Sequence, residues 1–140
     1  MLVYNGEGML LGRLGSIVAK LALLGEEIRI VNCDKVIISG NKRKIFVHEK
    51  ERLDRKGYPL KSAKNPRLAD RFVRRRIRGM LPWDTTRGRE AYKRIMCHVG
   101  VPENLQSEKL LTLEKASIKK LPNLKYVTVG DIVKQLGGKL

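Results

Sequence analysis

The sequence predicts an α/β domain with a parallel sheet and helices on its faces, and three observations carry that expectation. The chain opens with a short strand, a helix and a second strand, a connection that favours parallel pairing. Its 140 residues, 42 % of them apolar, make one core and are too few for two. Its charge is concentrated: residues 41–94 carry nineteen Lys/Arg against six Asp/Glu, a net of +13 out of +16 for the chain. Residues 1–40 balance at four against four, and residues 95–140 reach only +3. One domain over 1–140 is expected, with a polyanionic partner at the basic region 41–94. The C-terminal segment 102–140 is expected to pack on the core.

The elements follow in order. Leu2-Val3-Tyr4 makes a first strand, and a glycine-punctuated turn leads into a helix from about Gly12 to Leu24. Leu14, Ile17, Val18 and Leu21 recur at helical spacing there, and Gly25 is the stop. Ile28 to Val31 and Val36 to Ile38 are β-branched runs short enough for buried strands. Residues 41–56 have weak helical periodicity, with Ile45, Phe46 and Leu53 on one arc. Residues 57–66, with Gly57, Pro59 and Pro66, form a loop. Helices are predicted from Leu68 to Gly79 and from Thr86 to Ile95, and a strand from Met96 to Val99. Residues 102–125, bounded by Pro102 and Pro122, are irregular. Tyr126 to Val129 closes the strands and Asp131 to Leu136 the helices.

On a wheel of about 100° per residue, Leu68, Ala69, Phe72, Val73, Ile77 and Met80 share one half of the helix at 68–80. Arg71, Arg74, Arg75 and Arg78 share the other, at i, i+3, i+4 and i+7. Four like charges on one face, with only Asp70 nearby, differ from an ordinary solvated face, which mixes signs. Arg76 projects among the apolar positions and must snorkel or meet an anion at the edge of the core. The next helix repeats the pattern with Arg87, Arg89, Lys93 and Arg94 outward, relieved only by Glu90. Lys42, Arg43 and Lys44 form a third cluster in the first turn of their helix, where the macrodipole disfavours cations by about 0.3–1 kcal/mol each.

A folded chain gains nothing from crowding like charges, so the clusters point to a polyanion. Guanidinium forks suit phosphate oxygens and stack on bases. Duplex-DNA recognition modules are not recognisable in the sequence, and the apolar face of the arginine helix is explained by its own core rather than by a membrane surface. Structured RNA, held through shape, phosphates and 2′-hydroxyls, fits best. Trp83 and Tyr58 stand beside basic stretches as candidates for stacking on unpaired bases. A nucleoid-type protein binding DNA or RNA without specificity is the competing function.

Other chemistry finds little support. Cys33 and Cys97 stand 64 residues apart with no CxxC partner, so no metal site is expected and both read as small buried groups. Cys97 and His98 are adjacent, and adjacent strand residues point to opposite faces, which excludes a dyad between them. Gly6, Gly8 and Gly12 suggest a dinucleotide turn with Asp34 as the ribose ligand, but three residues separate the second and third glycines instead of two. No cofactor, no catalytic residue and no enzymatic activity are expected. No run reaches the roughly 18–20 apolar residues of a membrane span. Met1 to Gly12 lacks a signal peptide's basic start, so a cytoplasmic location is expected.

At Arg78-Gly79-Met80-Leu81-Pro82-Trp83 the sequence resembles the universal large-subunit ribosomal protein L-thirteen family. Gly12-Arg13-Leu14-Gly15-Ser16 is similar to a block of that family, with Gly15 in place of its usual alanine. Val31-Asn32 with Ile38 to Lys42, then Gly88-Arg89 with Ala91 and Lys93-Arg94, then Val99 to Pro102, continue in the family's order. Tyr126 to Ile132 resembles the archaeal and eukaryotic branch. The resemblance implies a three-layer α/β/α fold around a mainly parallel four-stranded sheet, with basic helical extensions. It implies 23S-type rRNA and neighbouring large-subunit proteins as partners, a structural role in the ribosome and participation in early subunit assembly. No membrane and no homo-oligomer is expected. The residues expected to face RNA are Lys42, Arg43, Lys44, Arg71, Arg74, Arg75, Arg76, Arg78, Trp83, Arg87, Arg89, Lys93 and Arg94.

Overall fold

Strands β1 (Leu2–Asn5) and β2 (Ile28–Val31) pair in parallel, Leu2 with Ile28 through Asn5 with Val31, and α1 (Leu11–Leu23) crosses between them. The computed structural model describes residues 1–55 and 65–139. Tyr58 and most of the expected loop at 57–66 therefore lie outside the described residues. Strand β4 (Ile95–Cys97) adds in parallel to β2, and β5 (Leu110–Leu111) adds in parallel to β1. The sheet order is β4-β2-β1-β5, four strands and all parallel.

The fourth strand is not one that the sequence pattern reveals. β5 lies inside the stretch read as irregular, and two residues are too short for any periodicity. Its place is set by β1, through Val3 opposite Leu110 and Tyr4 opposite Leu111. Conversely, β3 (Ile37–Ser39) and β6 (Tyr126–Thr128) leave the parallel sheet and pair antiparallel with each other. The remaining helices are α2 (Lys42–Asp54), α3 (Ala69–Arg78), α4 (Thr86–Lys93) and α5 (Val129–Gln135). Expected and observed ends differ by one or two residues, as fraying ends do.

The alternation of strand side chains divides the core. Tyr4, Ile28, Ile30 and Cys97 join the main cluster with Leu14 and Val18 of α1, Phe72, Val73 and Ile77 of α3, Ala91 of α4 and Ile132 of α5. Val3 and Val31, on the opposite face, pack with Leu105 and Val101. That face is closed by a 3-10 turn, Glu103–Leu105, so the third layer is thin there.

Local chemistry fixes the helix ends that matter for the basic surface. α1 stops at Gly25, whose φ of +106° is open to glycine at little cost. Gly25 N–H donates to Ala22 O and Glu26 N–H to Leu21 O, the paired bonds of a Schellman end. Arg94 and Arg87 of the α4 region add donors to the carbonyls of Ala22 (3.3 Å) and Leu23 (3.5 Å), placing positive charge at the negative end of α1. The Thr85 side chain caps α4 by accepting from Gly88 N–H.

Gly88 is where α4 meets the turn that follows α3. A Cβ there would lie 1.9 Å from the Pro82 carbonyl oxygen and 2.5 Å from its carbon, so only glycine lets the two backbones approach. Gly15 differs: its Cβ would meet the Met80 sulfur at 2.9 Å, the far end of a flexible, half-exposed side chain. In thermal or urea unfolding, Gly88→Ala is expected to destabilise by at least the 1–3 kcal/mol (order of magnitude) of an overpacked core. Gly15→Ala is expected to be neutral or stabilising by up to about 1 kcal/mol, the helix-propensity gain, with Met80 moving aside. Equal losses for the two variants would contradict this assignment.

Candidate nucleic-acid interface

Of the stripe predicted from the wheel, Leu68 and Met80, just beyond the two ends of α3, are exposed, whereas Ala69, Phe72, Val73 and Ile77 face the core. Their burial turns the arginines outward, but not into one equivalent row. Arg71 and Arg75 are exposed, whereas Arg74, Arg76 and Arg78 are half-buried.

Arg74 and Arg78 belong to a stacked array. The Arg74 guanidinium lies over the Tyr92 ring, 4.4 Å from its centroid, and its Nη2 donates to the Tyr92 carbonyl at 3.3 Å. Tyr92 meets Trp83 edge to face, with centroids 5.3 Å apart and planes at 88°. The Arg78 guanidinium lies over Trp83 at 3.7 Å. Each cation–π contact contributes about 0.5–2 kcal/mol depending on desolvation. The array joins α3, the turn at 79–85 and α4 into one body. It also gives Trp83 an occupant: one face of the indole is covered by the protein's own Arg78, and Arg89 Nε donates to the Trp83 carbonyl at 3.1 Å. Among the described residues Arg74 Nε is buried with no hydrogen-bond partner, a cost of holding the guanidinium over Tyr92.

Arg76 meets the anion that its inward position requires, and the anion belongs to the protein. Its Nη2 donates to Glu49 Oε1 of α2, and its guanidinium covers the Phe72 ring at 4.9 Å. Burial lowers the Arg76 pKa, and the Glu49 carboxylate acts in the opposite direction. Glu49 is the one charged residue that is buried among the described residues. It sits midway between Ile45 and Leu53, at i and i+8 on the same arc, and that spacing is the sequence signal that identifies it. α2 has little other buried surface, so the Glu49–Arg76 pair with Ile45, Phe46 and Leu53 holds it to the body.

The other predicted residues fall into two groups. Arg87 and Arg94 donate to the end of α1 as described, Arg87 remaining exposed and Arg94 half-buried. Lys42, Arg43, Lys44, Arg89 and Lys93 are exposed. Asn41 caps α2 by accepting from Arg43 N–H, and no acidic residue stands in that first turn. Among the described residues, ion pairs are formed only by Lys35 with Glu7 and Arg76 with Glu49. Lys42, Arg43, Lys44, Arg71, Arg75, Arg89 and Lys93 therefore present seven exposed cations, on three helices, without a carboxylate partner.

The cysteines are both buried free thiols. A hydrogen bond with Cys33, then burial, push the Cys97 thiol well above its ordinary range. Burial and then Arg29 lower the pKa of His98. Neither change brings a reactive thiolate to the surface. Of the glycines of the suspected dinucleotide turn, Gly6 serves packing, since a Cβ there would meet Val36 Cγ2 at 2.6 Å and Val31 O at 2.9 Å. Gly8 serves the turn with a φ of +66°, while a Cβ on Gly12 would meet nothing within 4 Å. Among the described residues no His/Cys/Asp/Glu group is placed to hold a metal ion, and no helix is long and apolar enough to cross a membrane.

Comparison with known proteins gives the family. The family model described as "Ribosomal protein L13" matches residues 1–104. Three similar curated proteins, each named "Large ribosomal subunit protein uL13", come from archaea. The one from Methanococcus maripaludis is 48 % identical over 143 residues, covering 99 % of each chain. Those from Archaeoglobus fulgidus and Methanocaldococcus jannaschii are each 42 % identical, over 136 and 142 residues. The former alignment covers 96 % of this chain and 86 % of the relative, the latter 99 % of both.

Removing the Glu49 carboxylate leaves the Arg76 guanidinium uncompensated at the edge of the core. Glu49→Ala is expected to cost about 1–3 kcal/mol in urea unfolding, less than a fully buried pair because Arg76 keeps a quarter of its side-chain exposure. The double variant Glu49→Leu/Arg76→Met should recover most of that loss. A double variant as unstable as the sum of the single ones would contradict a paired role.

Proposed function

We propose that this chain, which belongs to the ribosomal protein L13 family, is a structural constituent of the large ribosomal subunit that holds large-subunit rRNA through its Arg/Lys surface. The observation that carries the reading is the set of seven exposed cations on α2, α3 and α4 that have no carboxylate partner among the described residues. A surface spread over three helices matches the way structured RNA is held, through phosphates along a shape rather than through one helix in a groove. The role is architectural, without catalysis, and is exercised in the cytoplasm as part of the ribosome. The RNA is of the 23S type, the chain acts as one domain without self-association, and neighbouring large-subunit proteins cover part of its remaining surface. Binding early in assembly suits a protein whose RNA-facing residues are ordered by its own core.

The arginines then divide by role. Lys42, Arg43, Lys44, Arg71, Arg75, Arg89 and Lys93 reach phosphates directly. Arg78, stacked on Trp83, presents a fixed guanidinium edge and plane, and Trp83 contributes by orienting it rather than by stacking on a base. Arg74, Arg76, Arg87 and Arg94 fasten the basic helices to each other, to α2 and to the end of α1. This division favours a defined RNA over a non-specific nucleoid role, because Arg74, Arg76, Arg87 and Arg94 are spent on rigid positioning.

The quadruple variant Arg71→Glu/Arg75→Glu/Arg89→Glu/Lys93→Glu should lose rRNA binding with its far-UV helix signal unchanged. Single Gln substitutions at those sites should each reduce the log–log salt slope by roughly 0.7–0.9 per lost phosphate contact. The wild-type chain should prefer a large-subunit rRNA transcript over random duplex DNA at about 0.15–0.2 M salt, where electrostatic contacts alone are weakened. Equal affinity for the two nucleic acids would favour the nucleoid reading and overturn this one.

A further inference from the structure

We infer that Arg13, Lys115, Lys119 and Lys120 form a second RNA-contact surface at the opposite end of α1, so that the protein clamps two separate runs of phosphate. The inference rests on the RNA-binding reading above and adds to it a surface built from residues a hundred positions apart.

The fold brings these cations together through backbone hydrogen bonds. Leu10 N–H donates to Ala116 O at 2.8 Å and Ile118 N–H to Gly8 O at 2.9 Å, and Met9 lies opposite Ser117 in an antiparallel bridge. Arg13 Nη1 donates to the Lys115 carbonyl at 3.1 Å, which holds the guanidinium beside that segment. Lys119 and Lys120 follow in the 3-10 turn Ile118–Lys120, and Arg13 lines one groove with Leu121, the next residue. All four cations are exposed, and none is in an ion pair among the described residues.

The local acids do not cancel them. Glu7 is occupied by Lys35 at 3.1 Å, which leaves Glu114 as the free carboxylate of this strip. Arg13 also stands in the first turn of α1, which contains no acidic residue and no side-chain cap, a position that disfavours a cation unless an anion is supplied from outside. Lys119 and Lys120 stand on the wall of a cleft of about 430 Å³ that also carries Thr112, Ser117 and the carboxylates Glu7 and Glu114, with room beside the cations for a sugar–phosphate strand. A chain that crowds four like charges against one free acid repels itself until a polyanion is bound.

Geometry separates this surface from the α4 part of the first, while Arg13 shares a groove with Glu49 of α2 and Arg76 of α3. Arg87 and Arg94 contact the carbonyls of Leu23 and Ala22 at the C-terminal end of α1, and Arg89 and Lys93 lie on the same short helix α4. From Arg13 to Leu23 the helix axis rises about 15 Å. Phosphates at one end are therefore distinct from those at the other. The two sites bind different stretches of RNA and tie them at a fixed distance.

Hydroxyl-radical footprinting of a full-length large-subunit rRNA transcript from the same genome tests this, with the full chain and two variants. Arg13→Gln/Lys115→Gln/Lys119→Gln/Lys120→Gln should keep one group of protected nucleotides and lose another, with a salt slope reduced by about 2–3. Arg71→Gln/Arg75→Gln/Arg89→Gln/Lys93→Gln should lose the complementary group. The smaller variant Lys119→Gln/Lys120→Gln, confined to exposed turn residues, keeps the test valid if the quadruple change disturbs folding. An unchanged footprint and slope in both variants of the 115–120 surface, while the wild type binds, would overturn the second surface alone. Uniform weakening of a single footprint would overturn the two-segment clamp. No protection by the wild-type chain would bring down the RNA-binding reading itself, and this inference with it.

Discussion

Phe72, Val73 and Ile77 face inward from α3, and their burial governs everything the basic surface does. Each contributes about 1.5–3 kcal/mol by leaving water, and together they fix the rotation of α3 about its axis. With that rotation fixed, Arg71 and Arg75 have only solvent to enter, and Arg76 is carried to the edge of the core. The surface is thus a consequence of the core. The hydrophobic stripe supplies the free energy, and the arginines are displayed by it at whatever electrostatic cost the fold must bear.

That cost is reduced by three devices. Arg76 is paired with Glu49, which fastens α2, an element with little apolar surface of its own. Arg74 and Arg78 lay their guanidiniums on Tyr92 and Trp83, so attraction to aromatic faces offsets part of their mutual repulsion. Arg87 and Arg94 are drawn to the carbonyls that end α1. None of these contacts consumes a whole guanidinium. Each leaves donors free while removing rotational freedom, so a guanidinium held this way would lose less entropy on meeting an anion. The exposed cations without a carboxylate partner keep their full charge for long-range attraction.

The parts of this arrangement legible in the sequence are those written locally. The apolar periodicity of α1 and α3, the β-branched runs at β2 and β3, and the glycine that ends α1 each state their own structure. The inward position of Arg76 was also visible on the wheel, because it depends only on the angle between neighbours. Its partner Glu49 is marked only by interrupting the Ile45–Leu53 arc, at the spacing of a buried acid. Strand β5 has no local signal, because its two residues gain strand geometry only from β1. The stacking of Arg78 on Trp83 depends on the path of the Gly79–Pro82 turn and on the close approach at Gly88, and the juxtaposition of Arg13 with Lys115 depends on chain closure over about a hundred residues. Contacts of that kind are tertiary, and no periodicity encodes them. The family resemblance reached the RNA-facing region as a block, but a block does not distinguish an arginine that binds from one that braces.

Sucrose-gradient sedimentation of a cell lysate, with the native chain followed by antibody, tests most directly whether this basic surface serves the ribosome. The chain should sediment with the large subunit and remain there through a moderately high-salt wash, because fixed guanidiniums and shape complementarity outlast the screening of free charge. Release at modest salt to the top of the gradient, or co-migration with DNA instead of large subunits, would contradict a structural place on large-subunit rRNA.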